Sequence, residues 1–429
     1  MLRRTIALAL ALPLAIAPLL AAAAPHASAA PHRRPLEERD LRTLVTLLDP
    51  QIAPDGGRIA MIVRRPDFAK NAYANELVLV NARTGATRTL VAERKDVQNP
   101  RWSPAGDRIA YVATPPKDSD AKDEPAPQLY LLRLDGGEPA RITDAKHGVD
   151  AFAWRPDGRG FAYLTRDDAP DEKRIKAHDD WFEITDDAWT AHAAAVPHHL
   201  WTVDNAGKRA RRVTEGTWSL NGEPAFVPDG RSVYVNRTPH ASTNRYREHD
   251  VVRIDLAART VREVAPQHAG DAIVSPDGKR LAYAGEDAFA PSQTELYVSD
   301  LDGRHAHDLS ARLDRNVQFA AFIPHGGDVV VGANDRTRDR LFALSPNGTP
   351  RALPLADVDL NGNATASRDG TLAFIGITPS HPSELYVLRA NARAPQRLSR
   401  YNDAVAAHLM AARARSSGAA SAASPRTAS

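Results

Sequence analysis

Apolar positions along this chain come in short runs, broken by polar turns rich in Gly and Pro. One run-and-turn pattern recurs. A small residue is followed by Ser, Pro, Asp, Gly, a variable position, Arg or Lys, an aliphatic, Ala and an aromatic. Ser275-Pro-Asp-Gly-Lys-Arg-Leu-Ala-Tyr283 is the fullest copy. Ala53 to Met61, Ser103 to Tyr111, Arg155 to Tyr163 and Val227 to Tyr234 are close variants, and Ile323 to Val331 and Ser367 to Phe374 are weaker ones. Measured at the residue before the glycine, the copies fall at positions 55, 105, 157, 229, 277, 325 and 369, with steps of 50, 52, 72, 48, 48 and 44. A steady period near 50 with one insertion marks a repeat architecture.

Turn chemistry accounts for the motif. Proline presets φ at the first central position of a type I turn, Asp suits the second, and Gly takes the left-handed conformation of a bulged hairpin. The residues after the turn read as a half-buried strand. A second strand signal follows each copy, among them Glu76-Leu-Val-Leu-Val80, Gln128-Leu-Tyr-Leu-Leu132, His199-Leu-Trp-Thr-Val203, Glu295-Leu-Tyr-Val298 and Glu384-Leu-Tyr-Val-Leu388. A short third one closes the unit, as in Arg141-Ile-Thr143, Arg212-Val-Thr214, Asp308-Leu-Ser310 and Arg397-Leu-Ser399. With the strand before the turn, each unit has four strands. Seven units predict an all-β fold: a seven-bladed β-propeller of four-stranded antiparallel blades. Leucine-rich repeats are shorter and helical repeats would carry a 3.6 period, so neither solenoid fits.

Three stretches depart from the repeat. Leu36 to Leu48 places Leu41, Leu44, Val45 and Leu48 on one helical face, which predicts a short N-terminal helix against the edge of the ring. The long step contains an insertion within 167–198, acidic and aromatic around Trp181-Phe-Glu-Ile-Thr-Asp-Asp-Ala-Trp189. From Ala404 to Ser429 the chain is rich in Ala, Ser and Arg and is expected to be disordered, so the propeller is expected to span 36–403.

Composition adds compartment and partner. Arg3 and Arg4 precede an apolar stretch over 5–23, and Ala27-Ser28-Ala29 supplies small residues for cleavage after Ala29. Residues 1–29 therefore read as a signal peptide and 30–35 as a linker. Pro13 and Pro18 interrupt the run, which argues against a retained membrane anchor. The expected location is the periplasm or the exterior. The formal charge of +2 comes from 55 basic and 53 acidic side chains, so loss of Arg3 and Arg4 leaves the mature chain near neutral. A nucleic-acid surface needs a basic excess that is missing here. There is no cysteine, so stability must come from the packed core.

The repeat units resemble the N-terminal propeller of the prolyl oligopeptidase family of serine peptidases, in its bacterial dipeptidyl- and acylaminoacyl-peptidase branch. The Ser-Pro-Asp-Gly-Lys-Arg-Leu-Ala-Tyr and Glu-Leu-Tyr-Val units are also TolB-like. More specific to the peptidase branch are Phe182-Glu-Ile-Thr-Asp186, Pro197-His-His-Leu-Trp201 and Thr214-Glu-Gly-Thr-Trp-Ser219. In that family an α/β-hydrolase domain follows, with its serine in a Gly-x-Ser-x-Gly elbow. No Gly-x-Ser-x-Gly occurs in this chain. An elbow needs strand, strained turn and helix, and a triad needs three groups in hydrogen-bond reach. The resemblance thus implies the non-catalytic, substrate-gating and recognition portion of a secreted peptidase, ending before the hydrolase domain. The alternative is a TolB-like periplasmic interaction propeller. The expected partners are peptides or a periplasmic protein.

The resemblance also implies an amine site, because propeller carboxylates hold the free amino group of substrates in dipeptidyl peptidases. Paired carboxylates suit an ammonium through charge-assisted hydrogen bonds. Glu183, Asp186 and Asp187 are the candidates, with Trp181 and Trp189 beside them. The bland reading is a solvated acidic loop. Fifteen histidines raise the question of a metal. His198 and His199 are adjacent and would face opposite ways on a strand, and His305 and His307 lack a nearby third ligand, so no metal and no cofactor are expected.

Overall fold

In the computed structural model the described residues are 36–117, 123–169, 173, 177, 196–241, 248–266, 268–286, 293–324 and 327–408. The expected signal peptide, the linker, most of the insertion and residues 409–429 lie outside them. Seven four-stranded antiparallel sheets are present, each built from four consecutive strands. The blades span 46–91, 98–141, 151–212, 219–265, 269–308, 317–352 and 359–397. First strands of successive blades contact one another, including those of the last and first blades, so the sheets close into a ring with first strands innermost. This is the seven-bladed propeller that the repeat predicts.

The six described turn glycines, Gly56, Gly106, Gly158, Gly230, Gly278 and Gly370, adopt φ between 67° and 81°, the left-handed geometry the motif demands. Asp277 accepts hydrogen bonds from the Ser275 hydroxyl at 2.6 Å and the Lys279 amide at 3.2 Å, so this turn aspartate is a structural residue. The strands after the turns differ from the half-buried expectation. Ile59, Ala60, Met61, Ile62 and Val63 are all at most 2 % exposed. Both faces of a blade are covered by neighbouring blades, so a second strand reads as a continuous apolar run. Accordingly the core is seven clusters, each shared by two consecutive blades.

A repeated polar device stitches blade to blade. The Arg58 guanidinium lies 5.2 Å from the Trp102 ring and donates to the Gly106 carbonyl at 2.8 Å. Arg108 repeats this on Trp154 and Gly158, and Arg280 on Phe322 and Gly327. Within the blades, the Thr143, Thr214, Ser310 and Ser399 hydroxyls accept the Leu129, Leu200, Leu296 and Leu385 amides at 2.7 to 3.0 Å. The closing Ile-Thr and Leu-Ser pairs of the repeat therefore pin outermost strands to third strands.

The N-terminal segment departs from the sequence reading. A helix covers only Glu38–Leu41, and Leu48 belongs to the first strand, Thr46–Ile52. Val45 and Leu47 are buried while Leu41 is 49 % exposed, so burial alternates where a helical stripe was expected. At the other end Asp403–Ala406 is a helical turn with Val405 and Ala406 buried, so the expected boundary at Asp403 falls inside an ordered element. Among the described residues no helix is long and apolar enough to cross a membrane.

Candidate functional site

Six of the seven innermost strands contain a register shift. In five of them a residue with positive φ sits at the shift: Asp49, Asn99, Gly222, Asp271 and Gly362, with φ from 46° to 92°. A bulge re-aims side chains and turns them here toward the channel. Three of the five carry a sequence signal, an Asp, Asn or Gly shortly before a proline: Asp49-Pro50, Asn99-Pro100 and Gly222-Glu-Pro224. Sequence reasoning from the Pro-Asp-Gly turns alone missed it.

The bulges at Asn99, Gly222 and Asp271 line a cavity of about 880 Å³ on the face where second strands connect to third strands. Its walls carry the carboxylates Asp150, Glu223, Asp271 and Glu286 and the imidazoles of His198, His249 and His268. No Lys or Arg is among its described lining residues. Burial raises the Asp150 carboxyl above the ordinary carboxylate range, against the opposing pull of His198 and Arg166. The insertion leaves blade 3 after Gly160–Arg166 and returns at His198–Asp204, whose first residue lines this cavity. Glu183, Asp186 and Asp187 themselves, with Trp181 and Trp189, lie outside the described residues.

His198 and His199 face opposite ways, as their adjacency on a strand requires. His198 Nε2 is 3.4 Å from Asp150, and its Nδ1 is 3.5 Å from the Ser219 hydroxyl. This Ser-His-Asp set has hydrogen-bond distances at the upper limit. Ser219 begins a strand, is 7 % exposed and accepts the His198 amide at 3.0 Å. An activated serine is instead displayed on a strained turn, so the set forms a polar cavity wall. His199 is fully buried. Its Nδ1 accepts from the Thr214 hydroxyl at 3.1 Å and its Nε2–H donates to the Gly216 carbonyl at 3.2 Å. Trp218 packs edge-on against the ring. The Thr214 to Trp218 stretch is therefore the clasp of His199. His305 pairs with Asp300 on the surface, and His307 hydrogen-bonds the His305 carbonyl. Among the described residues no group of three or more His, Asp or Glu is placed to hold a metal ion.

Deeper in the channel, Arg101 of blade 2 bridges Asp49 of blade 1 at 2.6 Å and Glu223 of blade 4. Blades 2 and 4 are not neighbours, so this pair reaches across the channel. Burial would lower the Arg101 pKa, but the two carboxylates outweigh it and raise it. Below the bar, on the side of the Pro-Asp-Gly turns, lies a cavity of about 330 Å³.

No family model matches the chain. It is 26% identical over 221 residues to the uncharacterized peptidase YuxL of Bacillus subtilis, covering 49% of this chain and 32% of that protein. It is 22% identical over 302 residues to dipeptidyl-peptidase 5 of Porphyromonas endodontalis, covering 61% of this chain and 39% of that protein. The chain thus spans less than half the length of these curated relatives. Among solved structures it matches acylaminoacyl peptidase of Pyrococcus horikoshii, with TM-score 0.66, 20% identity, and coverage of 86% of this chain and 55% of that one. The propeller domain of the Trilobed protease from Pyrococcus furiosus, described as having an open velcro topology, gives TM-score 0.60 at 17% identity, covering 84% and 97%. By fold the chain is a seven-bladed propeller resembling that of the prolyl oligopeptidase and acylaminoacyl peptidase family, and its sequence relatives are named peptidases.

Proposed function

We propose that this chain is the substrate-recognising propeller portion of a secreted prolyl-oligopeptidase-type peptidase, and that its acidic channel mouth receives the positively charged end of a peptide. The observation that carries this reading is the cavity of about 880 Å³ whose described walls hold four carboxylates and no Lys or Arg. A cleft lined by one sign of charge concentrates ligands of the other sign, and carboxylates bind an ammonium by charge-assisted hydrogen bonds. The relatives named peptidases make a peptide amine the fitting cation. Glu183, Asp186 and Asp187 join this site in the proposal, because their connection re-enters the ring at the cavity wall. The apolar leader with Ala27-Ser28-Ala29 supports export to the periplasm or beyond.

Calorimetric titration with one short peptide, free and N-acetylated, tests the reading. The free amine is expected to bind at least ~10-fold more tightly, a difference of about 1.4 kcal/mol. Asp150→Asn with Asp271→Asn should remove most of that preference. Equal affinity for the two peptides would exclude an amine site at the mouth.

A further inference from the structure

The two halves of the channel have opposite chemistry. The turn-side cavity of about 330 Å³ is walled by Trp102, Phe152 and Trp154, and it contains the guanidiniums of Arg101 and Arg368. Both indoles are fixed: Trp102 Nε1 donates to the Gln51 carbonyl at 2.7 Å and Trp154 Nε1 to the Arg101 carbonyl at 3.1 Å. The one carboxylate among its described lining residues is Glu223, which also lines the mouth cavity.

Glu223 holds the Arg101 fork in two-toothed fashion, through Nε at 3.3 Å and through NH2. That is the geometry by which arginine recognises a free carboxylate. The two acids on Arg101 are not equivalent. Asp49 is 26 % exposed and tied to Gln51 Nε2 at 2.5 Å. Glu223 is 50 % exposed and sits in the stretch between Asn221 and Ala225, where the strand leaves its register. Asp49 is anchored and keeps Arg101 neutralised, whereas Glu223 is half in water and joined to the ring by irregular backbone.

We propose that the Nε/NH2 edge of Arg101 is a carboxylate-binding site, that Glu223 is its resident internal occupant, and that an incoming carboxylate carried by an apolar or aromatic group displaces Glu223 and seats that group between Trp102 and Trp154. The exchange conserves the two hydrogen bonds to the guanidinium. The released Glu223 carboxylate turns into the water of the mouth cavity that it already lines. Arg101 is mostly buried but Glu223 is half-exposed, so water weakens the hold of this partner, and a rival with favourable apolar contacts can compete. Exchange also lifts the bar across the channel, which joins the two cavities.

N-acetyl-phenylalanine and its C-terminal amide are the probes, titrated into the full chain with indole fluorescence as readout. Both probes are acetylated, so the outcome is independent of the amine site at the mouth. The acid is expected to bind and the amide to bind at least ~10-fold more weakly. Glu223→Gln should tighten the acid ~10-fold and leave the amide unchanged, and Arg101→Gln should abolish the difference between acid and amide. Glu223→Gln changes a half-exposed side chain, so it keeps the test decisive if the Arg101 variant does not fold. N-acetyl-glutamate α-amide separates the two sources of carboxylate. Binding equal to that of the acid assigns the site to acidic side chains, and weak binding assigns it to C-termini. Equal binding of acid and amide, or a Glu223→Gln variant with unchanged affinity for the acid, overturns the proposal.

Discussion

At the scale of a residue, His199 shows how one buried imidazole couples the repeat to pH. Burial lowers its pKa from the ordinary value of 6.5, reinforced by Arg212 and His198 and opposed by Asp167 and the Gly216 carbonyl. The folded chain therefore keeps the ring neutral where the unfolded chain protonates it. For a group depressed on folding, the stability it confers is present above the unfolded value and is lost as pH falls below it. The wild-type protein should lose stability from about pH 6.5 downward, by at most about 1.4 kcal/mol per pH unit from this one group. His199→Gln can keep a donor to Gly216 and an acceptor for Thr214 without titrating. Thermal melts between pH 7.5 and pH 5 should fall less steeply for the variant, and identical slopes would refute the role given to His199. None of this was legible in sequence. The Pro-His-His-Leu-Trp run showed only that the two histidines would face opposite ways, because its other partners lie on the next strand and beyond it.

At the scale of an element, the blade was readable because turn chemistry is local. Pro, Asp and Gly at fixed offsets need no distant partner to specify their hairpin. What joins blades is not local. Arg108 and Trp154 are both visible in the repeat, but their stacking at 5.4 Å unites positions almost one full unit apart. The helical misreading of Leu36 to Leu48 has the same origin. Val45 and Leu47 lie under blade 7, and a short apolar run fits either period until its neighbour is known. Of the candidate site, the acidic insertion was visible as composition, whereas the Arg101 bar was not, since it spans blades 1, 2 and 4. The Arg–aromatic stitch should be measurable. Arg108→Met keeps much of the stem but removes the charge over the indole and the hydrogen bond to Gly158. It should cost about 1–2 kcal/mol, combining a half-buried cation–π contact with one hydrogen bond. Chemical denaturation should show a lower midpoint with unchanged slope, and an unaltered midpoint would mean that the stitch is ornamental.

At the scale of the whole molecule, the problem a propeller must solve is closure, and repeat spacing is silent on it. A ring in which an N-terminal strand completes the last blade would show the same seven motifs. Here each sheet is contiguous in sequence, so among the described residues no strand is exchanged between first and last blades. Side chains and shared core do the joining. The Thr365 hydroxyl accepts the Ile52 amide at 3.0 Å and donates to the Pro50 carbonyl at 2.9 Å. Arg389 reaches the Ala82 carbonyl at 2.9 Å, and Leu385, Val387 and Leu398 pack against Val45, Leu47 and Val80. Asn402 is the keystone of this seam. Its amide oxygen accepts the Val45 amide at 2.8 Å, and its nitrogen donates to the carbonyls of Val45 at 2.9 Å and Ser383 at 2.8 Å. Its own backbone amide is held by the fully buried Glu384 at 2.7 Å. Asn402→Ala strands a buried amide and two carbonyls, at a cost of about 2–4 kcal/mol, since each orphaned group forfeits its desolvation. The loss should also be localised. A ring without strand exchange opens where its ends meet, so amide hydrogen exchange in the variant should accelerate in 46–91 and 359–397 well before 219–265. Uniform acceleration around the ring would show instead that the seam opens only with global unfolding, and that the shared core between blades 7 and 1 holds it without Asn402.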